Sequence, residues 1–149
     1  MKQTHITSAL LILLFAFLAT SCKKDDPEPT LGDQVAGDYT MTKIGLSGLF
    51  LELPYNDPTD GTQTSGKIKV TKITDDSASA TLTLSEKDKT GKVTNQTSSL
   101  GTATLQKATT GEIEIYVGTN KAGTYKEGEV TILGYSQDLG NVTFVGKKN

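Results

Sequence analysis

Few side chains in this chain have the types and spacing for chemistry. Glu112 and Glu114, and again Glu127 and Glu129, stand two residues apart, the spacing that places paired carboxylates on one face of a strand. Paired carboxylates are the tools of glycoside hydrolysis. Here they alternate with aliphatic residues such as Ile113 and Ile115, so a solvated strand face is the expected setting. Asn56-Asp57-Pro58-Thr59-Asp60-Gly61 gathers oxygen donors, of which Ca²⁺ takes roughly six to eight. Pro58 interrupts the run and the terminal Glu of a Ca²⁺ loop is missing, so it reads as a turn and no metal site is expected. The single cysteine, Cys22, lies between an apolar run and a cluster of Lys, Asp and Pro, and the single histidine is His5. No Arg and no Trp occur. Beyond residue 22 the usual nucleophile–base pairs and His-rich metal sites therefore lack members, and neither an enzyme nor a cofactor is expected.

The setting of Cys22 is the more informative feature. A polar start with Lys2 leads into ITSALLILLFAFL, residues 6–18, followed by the small residues Ala19-Thr20-Ser21. This is the plan of an export signal, and the apolar run is shorter than the ~20 residues of a membrane-crossing helix. Residues 1–21 are expected to be removed. Residues 22–36 (CKKDDPEPTLGDQVA) carry two prolines and several acids with little to bury, the composition of a flexible acidic tether.

From residue 37 the period changes to two. Tyr39 and Met41 alternate with Thr and Lys. Ile68 and Val70 alternate with Lys67, Lys69 and Thr71, and Ile73 falls out of phase, which predicts a bulge near Lys72. Ala80, Leu82 and Leu84 share a face, as do Ile113, Ile115 and Val117, and Val142 and Phe144 close the series. Tyr39 is expected in the core, Tyr116 outward; Tyr55, Tyr125 and Tyr135 are further candidates for an exposed aromatic surface. About eight short strands separated by Gly, Asn and Asp turns predict an all-β domain over 37–147, a single antiparallel up-and-down barrel. With formal net charge −2 and no basic patch interleaved with aromatics, nucleic acid is not an expected partner.

Two resemblances extend this reading. Ala19-Thr20-Ser21-Cys22 resembles a bacterial lipobox, whose cysteine carries diacylglycerol, with Ala19 where Leu is usual. Lys24-Asp25-Asp26 resembles the surface-export signal that follows the cysteine in Bacteroidetes-type lipoproteins. Val35-Ala36-Gly37-Asp38-Tyr39, the Lys/Thr-rich middle strands and the closing Val142-Thr143-Phe144-Val145-Gly146-Lys147 resemble the calycin-like, lipocalin-like barrels of such lipoproteins. Tyr39 stands where lipocalins have Trp, and the Arg that packs on that ring is missing. In the same bacteria Asp76-Ser77-Ala78 is similar to an O-glycosylation acceptor, with Ser77 expected in a loop.

The resemblances imply a lipoprotein anchored in the outer membrane through palmitate and related acyl chains on Cys22, and displayed at the cell surface. The barrel is expected to be a non-catalytic binding module for a small apolar or amphipathic ligand, held near Leu49, Phe50, Leu51 and Leu53. The alternative is a solid-cored domain that binds a protein or glycan through exposed Tyr and loops.

Overall fold

A computed structural model describes residues 27–46, 48–136 and 140–149, with backbone only at 135 and 136. The expected export signal, Cys22, Lys24, Asp25 and Asp26 lie outside the described residues.

One short helix, α1 (Leu31–Val35), precedes ten strands: β1 (Gly37–Leu46), β2 (Leu49–Glu52), β3 (Tyr55–Asn56), β4 (Gln63–Thr74), β5 (Ser77–Lys87), β6 (Val93–Lys107), β7 (Ile113–Val117), β8 (Asn120–Lys126), β9 (Glu129–Ser136) and β10 (Gly140–Lys148). From β4 to β10 each strand pairs antiparallel with the next, and β10 returns to β1. Gly37 to Thr40 then pair with Val70 to Lys67 and close an eight-stranded barrel. Above that seam β1 and β4 part: β1 takes β2 as its neighbour and β4 takes β3. The up-and-down barrel read from the period-two pattern is the fold.

The alternation works as expected where polar and apolar residues differ most. Along β4, Ile68 and Val70 are buried while Lys67, Lys69 and Thr71 are exposed. The register of β4 on β5 slips between Lys72 and Thr74, so Ile73 is the extra residue of the predicted bulge and is 51% exposed. Tyr39, Met41, Ile68, Leu105, Ile113 and Val130 form the centre of the core, and apart from the Tyr39 hydroxyl no polar side-chain group belongs to a buried residue among those described.

Residues 31–36 depart from the flexible tether expected up to Ala36. Thr30 caps α1, its hydroxyl oxygen accepting from the Asp33 amide at 3.3 Å. Leu31 and Val35, four residues apart, share a face, and Val35 is only 1% exposed. The helix is pinned from several sides. Gly32 N–H donates to the Asp75 carbonyl at 2.8 Å, Lys72 Nζ donates to Asp33 Oδ2 at 2.8 Å, and the Tyr39 hydroxyl donates to the Val35 carbonyl. A β-carbon on Gly32 would lie 2.4 Å from the Thr74 carbonyl oxygen, so only glycine lets the helix sit this close. Apolar residues at helical spacing thus dock this segment against β4, β5 and β6.

Candidate functional site

Inside the barrel lies a cavity of about 300 Å³. Val35 of α1 contributes to its lining, with Val70, Leu105, Val130 and Ile132 from β4, β6 and β9. The void exists because four other lining positions carry alanine: Ala78 and Ala80 on β5, Ala103 on β6 and Ala122 on β8. Interiors normally pack to crystal-like density, so small side chains converging from three strands leave space that neighbouring Leu and Ile do not fill. Ser79 is the one lining residue with a polar side chain, and among the described residues no titratable residue is part of the lining.

Two bulges shape the opening. Between Ser79 and Thr81 the register of β5 on β6 shifts, with Leu100 and Gly101 opposite Ala80, and Gly101 takes a φ of 77° that favours glycine. Between Ile115 and Tyr116 the register of β7 on β8 shifts, and Ala122 is the extra residue. Leu100, Gly101 and Ala122 all line the cavity. Bulges bend strands and end pairing, and β6 meets β7 only from Thr104 to Lys107. The wall is open beyond that point. Val117 and Leu133, which line the cavity yet are 48% and 49% exposed, mark its rim.

The ligand-contact residues expected from the sequence are elsewhere. Leu49, Phe50 and Leu51 lie on β2, paired to β1, and are 80%, 57% and 38% exposed. Leu53 packs against the core, and none of the four lines the cavity. Local hydrophobicity marked these residues, whereas the space was made by alanines that carry no such mark. The alternation of β7 did point to Ile115 and Val117, which do line it.

The carboxylate pairs sit on outer surfaces. Lys121 Nζ lies 2.6 Å from Glu114 Oε1 and 3.8 Å from Glu112 Oε1, and the Tyr116 hydroxyl donates to Glu114 Oε2 at 2.8 Å. Lys121, and then Tyr116, hold the Glu114 carboxyl below its usual range, the opposite of what a general acid needs. Glu127 and Glu129 do not share a strand face: Glu127, at φ 49°, and Gly128 form the two-residue turn between β8 and β9. In the Asn56 to Gly61 segment, Asp57 Oδ1 accepts from Thr59 N–H at 2.7 Å and Asp60 Oδ1 from Thr62 N–H at 2.8 Å, so the carboxylates build the turn.

Ser77 is the first residue of β5 rather than a loop residue. It is half-buried and its hydroxyl lies 2.6 Å from that of Thr74. Of the tyrosines, Tyr39 is fully buried, Tyr125 packs on the core and Tyr116 is tied to Glu114. Burial raises the Tyr39 hydroxyl well above its ordinary value, which keeps it a donor to Val35. The side chain of Tyr135 lies outside the described residues.

The fold and cavity define an all-β barrel with an apolar internal site. No known protein family and no curated protein matches the chain. Among solved structures it is similar to a de novo designed fluorescence-activating β-barrel, at 10% identity and a TM-score of 0.35, over 76% of this chain and 93% of that one.

Proposed function

We propose that the barrel is a non-catalytic binding module for a small apolar molecule held in the alanine-lined cavity. The observation that carries this reading is the cavity: about 300 Å³, open at one rim, walled by aliphatic side chains. That volume is at the lower end of ligand sites. A dry apolar cavity of about 150 Å³ admits benzene, so a bicyclic ring system or a short acyl chain is the size class.

The anchoring belongs to the same proposal. A lipid on Cys22 holds the chain to the outer membrane, and Lys24-Asp25-Asp26 directs it to the cell surface. The N-terminal side of the domain enters through α1, whose neighbours are the Asp75 carbonyl and the C-terminal Lys148, at the barrel end where β4 turns into β5.

Native mass spectrometry of the full chain from its own host membrane tests the cargo; a bound apolar molecule of this size class is the expected result. Fluorescence titration with 2-naphthol supplies a defined probe. If 2-naphthol does not bind and no small molecule co-purifies, the cavity is not a ligand site. Replacement of Cys22→Ala tests the anchor, with palmitate incorporation and membrane fractionation expected to be lost. Retention of both in that variant removes the anchoring part of the reading.

A further inference from the structure

Strand β6 is covered on one side only over much of its length. Val93 to Ser99 pair with Lys87 to Thr81 of β5, whereas β7 reaches only Thr104 to Lys107. Residues 93–99 thus have no second strand neighbour among the described residues, and all seven are exposed. A bare edge of this length is a template for further pairing, and natural edges are blunted by Lys, Pro or inward charge. None of these occurs from Val93 to Gln106, although charged residues make up 21% of the chain. The flat part of the edge ends at the Leu100–Gly101 bulge.

We propose that this edge pairs with the same edge of a second copy, antiparallel about a twofold axis at Gln96. Full overlap of residues 93–99 fixes that centre. It sets Thr94 opposite Ser98 of the partner subunit, and Asn95 opposite Thr97 of the partner subunit. Hydroxyl and amide side chains then face one another on both surfaces, pairs that favour sheet formation. The chain already makes one such pair across β5 and β6, with the Thr83 and Thr97 hydroxyls 3.2 Å apart. An isologous interface requires a self-complementary patch, and an uncharged strand brings no like charges together. The pairing stops short of Leu100, where the cavity lining begins, so the mouth stays open.

The test uses the full chain in mild detergent, with Cys22→Ser to remove the native thiol and one new cysteine added. Gln96→Cys brings two thiols together across the axis, with α-carbons about 4.5–5.5 Å apart, within disulfide reach. Thr94→Cys places its two thiols four residues out of register, roughly 13 Å apart. Oxidation is expected to give a covalent dimer for Gln96→Cys and monomer for Thr94→Cys. Sedimentation is expected to show a dimer for the native sequence. Gln96→Lys, which opposes two ammonium groups at the axis, is expected to weaken it about tenfold or more with unchanged thermal unfolding. A native chain that remains monomeric at roughly 100 µM overturns the proposal. So does a dimer that survives Gln96→Lys, or one that cross-links equally through both cysteines; the first places the contact elsewhere and the second denies the register.

Discussion

Ala80→Leu fills the cavity from the wall of β5. Ala80 lies on the inward face, half-buried against the core, opposite the Leu100–Gly101 bulge. Leucine adds three carbons there, each taking roughly the ~30 Å³ that a water occupies in the liquid. The free space falls from about 300 Å³ to roughly two-thirds of that. Burying three carbons stabilises by at most about 2.4 kcal/mol, less about 0.5–1 kcal/mol for fixing the leucine rotamer. Because the cavity is open at its rim, a net gain of about 1–2 kcal/mol is expected. For a folded domain of this size that raises Tm by roughly 4–8 °C. Binding of 2-naphthol, followed by fluorescence, is expected to weaken at least about tenfold, since a bicyclic ring no longer fits. Thr71→Leu makes the same chain more apolar on the exposed face of β4 and should change neither quantity in this way. The reasoning is refuted if Ala80→Leu lowers Tm while probe affinity stays the same: the interior would then be full at that point and the probe bound elsewhere.

Other positions test the supports of the site. Tyr39→Phe removes the hydroxyl that satisfies the buried Val35 carbonyl, and chemical denaturation is expected to show a loss of about 1–3 kcal/mol. Gly123→Ala places a β-carbon 2.2 Å from the Thr131 carbonyl oxygen, a backbone atom that cannot yield without parting β8 from β9; a loss of about 3 kcal/mol or more is expected. Gly134→Ala meets its nearest atoms, on Phe144 and Val142, at 3.6 and 3.8 Å, and its stability should stay close to that of the native chain. The helix clasp is pH-dependent. Hydrogen bonding from Lys72, and then from Thr30, depresses the Asp33 carboxyl below its ordinary 3.8, so its contribution is complete above pH 3.8 and lost as pH falls through the lower folded value. Hydrogen exchange at Leu31–Val35 should rise in that acid window in the native chain, and Asp33→Asn should flatten the rise. Lys72, raised by Asp33 and Asp75, contributes fully below its ordinary 10.5 and adds no slope there.

The sequence carried the strands wherever a strand has one wet and one dry face. β4, β5 and β7 were legible from Ile68/Val70, Leu82/Leu84 and Ile113/Ile115, and even the bulge at Ile73 showed as a break in phase. β6 was not. Within its full span, Val93–Lys107, residues 93–99 are exposed on both faces and have no alternation to read. Backbone pairing with β5 makes that segment a strand, and pairing leaves no mark on a polar sequence. The helix does carry a signal in the sequence: Thr30 stands three residues before Asp33, a capping pattern, with Leu31 and Val35 at helical spacing. Acidic, proline-containing surroundings obscured it.

The cavity was illegible for a related reason. Runs of leucine and phenylalanine draw attention to Leu49, Phe50 and Leu51, yet a conspicuous apolar residue fills space or lies exposed, whereas a site requires space left empty. Here the emptiness is written in alanines on three strands, and each alone is unremarkable on a strand face. Only register brings them together: Ala78 stands opposite Ala103 across β5 and β6, and the bulge on β8 inserts Ala122 into the lining. Long side chains at these positions would give the same strands and a solid core. The same sheet can therefore serve as a scaffold or a container, and what decides is the volume of a few inward side chains together with the bulges at Leu100–Gly101 and at Ala122. β7 ends at Val117, which leaves the outer part of β6 without a second strand neighbour among the described residues. The open rim of the cavity and the bare strand edge are thus two consequences of one local feature, the early end of the β6–β7 pairing at Thr104.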